Sequence, residues 1–201
     1  MSIPHHPDSL IQVTDWIRCR RTIKPVDMDS ERPLDRALVN HLLENACWAP
    51  THGMTEPWRF LVYTKETRQG LAAALQDLYA ATTPEENYRP DKFAKLGTQP
   101  LLAPVVIAIC MARDITGKIA EIEEVEAVAC AVQNLHLSAS AIGLGGFWST
   151  PPILETEAAN DALHLKANER CLGLFYLGWP KAGLAWPKSA RCPLESKVTW
   201  M

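Results

Sequence analysis

The sequence predicts a layered α+β domain, on three observations. Stretches with helical apolar periodicity alternate with three or four short runs of β-formers. The run Val105-Val106-Ile107-Ala108-Ile109-Cys110 is apolar throughout, as a central strand covered on both faces requires. Residues 119–142 carry the longest helical pattern, with Glu121, Glu123, Glu124 and Glu126 at the end where negative charge is favoured and Gly143 as its stop. At 201 residues the chain is long enough for one substantial core and short for two, so residues 1–201 read as a single domain.

In chain order, Leu10, Ile11, Val13, Trp16 and Ile17 make residues 9–18 an amphipathic helix, with Pro7, Asp8 and Ser9 as start signals. A second helix over 31–47, capped by Asp29 or Ser30, carries Leu34, Ala37, Leu38 and Leu42 on one stripe and is stopped by Pro50. Residues 58–64 follow Pro57, are dense in Trp, Phe, Val and Tyr, and read as a strand; 66–81, rich in Ala and Leu, read as a helix. Pro84 and Pro90 break the chain before a brief helix at 91–97. After the long helix, 145–152 reads as a loop, 155–164 as a helix and 171–177 as a strand. Residues 180–201 contain Pro180, Pro187 and Pro193 and read as an extended tail. Its Trp186, Val198 and Trp200 need a surface to lie on, and a second subunit supplies one.

Composition narrows the function. Hydrophobic residues at 47% and charged residues at 21% exclude disordered, collagen-like and coiled-coil classes. A net charge of -3 gives no global attraction to nucleic acid or to a membrane surface. Six cysteines without a Cys-x-x-Cys pair favour a reducing compartment. No secretory signal is visible in the first thirty residues, and the longest apolar run, 101–112, contains Pro104 and falls short of the roughly 20 residues a spanning helix needs. A soluble, cytoplasmic protein is the expectation. Metal binding has no paired spacing to support it, and His136 reads as a satisfied interior or interface histidine.

Two segments carry the chemistry. The first gathers Arg18, Arg20, Arg21 and Lys24 around the hydroxyl of Thr22, which suits anionic oxygens such as those of a phosphate. A basic cluster after a helix also suits a solvated, dipole-complementing C-terminus, and on this segment alone the two readings stand level. The second segment, Cys47-Trp-Ala-Pro-Thr-His-Gly-Met-Thr-Glu-Pro-Trp-Arg-Phe60, sets His52 and Glu56 in a loop before a strand. By itself His52 is better explained as a loop histidine bonded to a backbone carbonyl, and Trp58 and Trp148 as core or interface packing residues.

Arg20-Arg21-Thr22-Ile23-Lys24 resembles the Arg-Arg-Ser-x-Arg/Lys opening of the nitroreductase family, and Ala49-Pro50-Thr51-His52-Gly53-Met54-Thr55-Glu56-Pro57-Trp58-Arg59-Phe60 its Ala-Pro-Ser/Asp-x-x-x-x-Gln-Pro-Trp-Arg-Phe block. Gly143-Leu144-Gly145-Gly146-Phe147-Trp148 and Leu177-Gly178-Trp179-Pro180 fit its later motifs, so the match spans about residues 10–201. The short, single-domain bacterial branch is the nearest in pattern. The resemblance implies a central mixed sheet of three to five strands packed by helices, and a C-terminal tail exchanged across a homodimer. It implies FMN at the subunit interface, with NADH or NADPH as reductant. By motif position, Arg20, Arg21, Thr22 and Lys24 would hold the ribityl phosphate and the pyrimidine edge; His52, Glu56, Trp148, Ser149 and Thr150 would come from the partner subunit; and Arg191 would reach the phosphate. Two positions depart from the family: Glu56 stands where glutamine is usual and is acceptor-only when ionised, and Ser149 stands where the short branch often has arginine.

A flavin carries the electron chemistry itself, so no catalytic side chain is required of the protein. Accordingly the sequence shows no Gly-x-Ser-x-Gly, Walker loop or His-Glu-x-x-His, and its Gly-x-Gly-Gly turn follows a helix where a dinucleotide fingerprint follows a strand. The expected activity is ping-pong reduction of nitroaromatic, quinone or related small electrophilic acceptors by NAD(P)H. The alternatives are an FMN-binding sensor or carrier with little turnover, and a flavin-free module that uses the basic loop on an acidic partner.

Overall fold

A computed structural model describes residues 7–65 and 67–201. Among these residues six helices and four strands follow one another as α1 (Pro7–Cys19), α2 (Arg36–Ala46), β1 (Trp58–Thr64), α3 (Thr67–Thr82), α4 (Pro90–Thr98), β2 (Val105–Ala112), α5 (Glu121–Ala141), β3 (Gly145–Ser149), α6 (Glu157–Ala162) and β4 (Glu169–Gly178), with short 3-10 turns between them. The strands form one sheet in the order β1-β2-β4-β3, every neighbour antiparallel. Parallel pairing enters through a bridge between Thr22 and Gly146 at the β3 edge.

β2 is buried along its whole length, and its alternation divides the protein into two layers. Val105, Ile107, Ile109 and Met111 face α2 and α5, meeting Leu42, Val128, Leu135 and Phe175. Val106, Ala108 and Cys110 face α3 and α6, meeting Leu71, Leu75, Leu174 and Tyr176. Each large side chain fully buried in this way contributes about 1.5–3 kcal/mol, which is why an unbroken apolar run takes the centre of the sheet. Against β2, strand β4 carries one extra residue, Leu172, between the Ile109–Gly173 and Cys110–Cys171 pairs.

Local chemistry moves several boundaries. Helix α2 begins at Arg36 because Asp35 Oδ1 accepts from the Ala37 amide at 3.1 Å, while Asp29 accepts from the Glu31 and Arg32 amides in an earlier turn. Residues 31–35, expected in the helix, therefore precede it. The expected first residue of α3, Glu66, lies outside the described residues. The 145–149 stretch is a strand rather than a loop. Gly145 is a glycine because a Cβ there would stand 2.6 Å from Ile23 Cβ, so the pair that reads as a turn signal is a close approach between two chain segments.

The tail departs from expectation at its start. The Trp186 indole donates to the Cys19 carbonyl at 2.7 Å and Arg21 Nε to the Pro187 carbonyl at 2.7 Å, so 186–187 lie on their own chain, at the end of α1. Residues 190–201 are exposed. Among the described residues no helix is long and apolar enough to cross a membrane.

Candidate functional site

Segment 20–24 leaves α1 and docks on the sheet edge, where the Ile23 amide donates to the Gly146 carbonyl at 3.1 Å. Residues before that junction turn toward α5, and the residue after it turns toward α4. Arg20 and Arg21 accordingly line a cavity of about 530 Å³ with Ile17, Arg18, Gln133, Ser189 and Arg191. Lys24 lines a different hollow of about 250 Å³ with Phe147, Lys95 and Gln99. The four cations of the basic segment thus divide: Arg18, Arg20 and Arg21 join a fourth arginine, Arg191 from the tail, and the lysine lines a separate hollow.

Among the described residues, no carboxylate lies within ion-pair distance of Arg20, Arg21 or Arg191. Burial, and then the charges of Arg191 and Arg21, hold Arg20 below the usual arginine range. The Arg21 guanidinium is largely committed to its own chain, donating to the carbonyls of Arg18, Arg20 and Pro187. Arg191 donates to Ser189 Oγ and the Ala190 carbonyl. Gathering guanidinium groups in a partly buried hollow without a counter-charge costs energy that a bound anion recovers through fork-shaped, charge-assisted hydrogen bonds.

Beneath this cluster lies His136, only 7% exposed. Its Nε2 is 3.0 Å from the Arg21 carbonyl oxygen and its Nδ1 is 3.5 Å from Arg20 Nη1. Sequence reading placed it correctly as an interior histidine but had no means of linking it to residues 115 positions away.

The second segment lies elsewhere. Thr51 Oγ1 and Thr55 Oγ1 are 3.1 Å apart, and the Glu56 amide donates to Thr51 Oγ1 at 3.3 Å. His52 Nδ1 contacts Glu123 Oε2 in the first turn of α5. Met54 and Glu56 both hold positive φ, 53° and 44°, conformations unfavourable for non-glycine residues that persist where surroundings enforce them and that gather at functional loops. Glu56 is exposed, and its carbonyl accepts from Arg59 Nη1 at 2.9 Å.

On β3, side chains alternate between the layers. Trp148 packs against the α2/α5 core, and its indole nitrogen is buried with no hydrogen-bond partner. Ser149 faces the other layer, lining a 460 Å³ apolar cavity with Leu174, Tyr176, Leu96 and Lys95, and Thr150 is exposed just beyond. Because Thr22 and Gly146 are bridged in one chain, residues 148–150 continue the same edge as the arginine segment. His52 and Glu56 lie away from this edge, beside the first turn of α5.

The nitroreductase family model matches residues 17–179. The chain belongs to the nitroreductase family. Among its relatives, YfhC of Bacillus subtilis (strain 168), provisionally named an NAD(P)H nitroreductase, is 28% identical over 200 residues, covering 98% of this chain and 96% of that one. The 5,6-dimethylbenzimidazole synthase of Rhodospirillum rubrum is also 28% identical, over 205 residues, covering 96% and 92%. Of solved structures, a provisionally named nitroreductase from Desulfovibrio desulfuricans, in complex with FMN, matches with TM-score 0.69 and 25% identity over 98% of both chains. A nitroreductase-like protein from Bacillus cereus matches with TM-score 0.78 and 23% identity over 100% and 98%, a likeness of fold. The expected nitroreductase architecture of helices on a central sheet is thereby established, with four strands.

Proposed function

We propose that this chain is an FMN-dependent NAD(P)H oxidoreductase that works as a homodimer and reduces small electrophilic acceptors, nitroaromatics and quinones among them, by a ping-pong mechanism. Family membership supports the oxidoreductase class and its use of FMN and NAD(P)H. The single observation that carries the cofactor site is the hollow of four guanidinium groups with no carboxylate partner among the described residues, which fits a phosphomonoester.

In this reading Arg20 and Arg191 take the phosphate oxygens, and Arg21 fixes the turn that carries them. Thr22, exposed at the sheet edge, offers its hydroxyl along the same line, and Lys24 lies beyond it. Ser149 at the end of β3 and Thr150 just past it follow in the same chain, while Trp148 supports the edge from the core side. His52 and Glu56 come from the second subunit. The flavin supplies the electron chemistry when bound; the protein's task is to bind, orient and cover it. NAD(P)H and acceptor then use one cleft in turn.

The surface supports the dimer. Leu10, Ile11 and Trp16 on α1 are 73%, 61% and 53% exposed, and Trp48, Met54 and Trp200 are 87%, 76% and 92% exposed, more apolar area than a monomer leaves in water. We assign that area, and residues 192–201 of the tail, to the contact between subunits.

Steady-state NADH and NADPH oxidation with menadione or nitrofurazone, at saturating FMN, tests the activity. Acceptor-dependent turnover is expected. A protein that holds FMN yet oxidises neither nucleotide would be a carrier or sensor instead, and one that binds no FMN would remove the reading altogether.

A further inference from the structure

His136 sits on the inner face of α5 with Gly146 packed against its ring and Phe175 edge-on at 5.3 Å and 81° between planes. There is no room beside it: a Cβ on Gly146 would stand 2.9 Å from His136 Nε2 and 2.6 Å from Phe175 Cζ. A ring fixed so firmly presents its two nitrogens in set directions, and both point at the arginine segment. The Arg21 carbonyl only accepts, so Nε2 must carry the hydrogen. Nδ1 is then an acceptor, and it meets Arg20 Nη1, which only donates. Burial and the neighbouring Arg20 charge keep the ring neutral, in agreement with that tautomer.

We infer that His136 is the positioning residue of the anion clamp, holding the Arg21 backbone with one ring nitrogen and aiming the Arg20 guanidinium at a phosphomonoester with the other. The inference rests on the clamp reading above. A flexible arginine loses rotamer freedom when it binds, and a guanidinium already pinned by a fixed acceptor has less to lose. A neutral acceptor suits this role better than a carboxylate, which would satisfy the positive charge that the phosphate is meant to meet.

The two arms separate by substitution. Asparagine keeps an acceptor near the place of Nδ1, glutamine keeps a donor near the place of Nε2, and leucine keeps neither. FMN affinity is measured by fluorescence titration of dimeric protein, with apoprotein melting and sedimentation as controls for each variant. The expected results are a Kd raised by about tenfold in His136→Leu, substantial recovery in His136→Asn, and an Arg20→Ala/His136→Leu double variant no weaker than Arg20→Ala by more than about threefold. Wild-type affinity in both His136→Leu and His136→Asn, or effects of Arg20→Ala and His136→Leu that simply multiply, overturns the positioning role. If Arg20→Ala itself leaves FMN affinity unchanged, the clamp reading fails and takes this inference with it.

Discussion

Arg20 and His52 are tied to opposite stretches of one helix: His52 to Glu123 in the first turn of α5, and Arg20 to His136 thirteen residues later. At about 1.5 Å per residue, the two anchoring positions stand about 20 Å apart along the helix axis. A single chain therefore does not bring them to the same edge of a flavin. In the proposed homodimer, two chains related by a twofold axis with their α5 helices antiparallel would place the His52 end of one beside the Arg20 end of the other.

That arrangement links cofactor and assembly. FMN should strengthen the dimer, and dilution should weaken FMN retention. With free FMN at about 100 times Kd, binding adds about 2.7 kcal/mol per site to the folded dimer. Sedimentation equilibrium with and without FMN checks this; a dissociation constant for the dimer indifferent to FMN would show that each chain binds alone.

The Gly145–Ile23 contact makes a second prediction. Gly145→Ala puts a Cβ 2.6 Å from Ile23 Cβ, so the 22–24 segment must lift from β3. Overpacking of this kind costs about 1–3 kcal/mol, and the same displacement moves the arginines. Urea denaturation should show the stability loss and FMN titration a weakened Kd in the same variant. Loss of one without the other would uncouple the sheet edge from the clamp.

How much of this was legible in the sequence depended on whether a signal was local. Trp58–Thr64 was read to the residue because Pro57 and a run of β-formers mark it without help from elsewhere. Strand β3 was read as a loop because glycines at 145 and 146 signal turns, and only the arrival of Ile23 and His136 from distant positions explains them as points of close approach. The α2 boundary slipped because Asp29, Ser30 and Asp35 are all competent caps and the sequence does not rank them. In the site, motif order names Arg20, Arg21, Lys24 and Arg191 together; the arginines line one hollow and Lys24, beyond the Thr22–Gly146 bridge, lines another, a division that no local signal carries. His136 carried no motif at all.

Acid should destabilise the fold through His136. Burial, then the Arg20 charge, lowers its pKa from 6.5 to about 4. Unfolded chains take up a proton near the ordinary value that the folded chain refuses, so stability from this group is complete above about pH 6.5 and is lost as pH falls toward 4. The loss is on the order of 3 kcal/mol. Urea midpoints for wild type and His136→Asn at pH 7.5 and 4.5 isolate it, since asparagine does not titrate. A stability difference between the two proteins that is the same at both pH values would contradict the assignment.

Among the described residues Glu124 is the one fully buried acid, 1% exposed, paired with Arg113 and accepting from the Asp114 amide at 2.8 Å. Glu124→Ala leaves both donors unanswered beneath the 113–120 loop. A cost of about 3 kcal/mol is expected, the lower end of the range for a broken buried pair because Arg113 keeps some access to water. Chemical denaturation measures it, and a change under about 0.5 kcal/mol would mean that the pair holds nothing in place.

The arginine clamp itself is tested most directly by titrating one preparation of the dimeric protein with FMN and, separately, with riboflavin. The two ligands differ by the phosphate that Arg20 and Arg191 are assigned to hold. Two charge-assisted contacts predict that riboflavin binds at least about a hundredfold more weakly than FMN. Equal affinity for the two would contradict the assignment of this site.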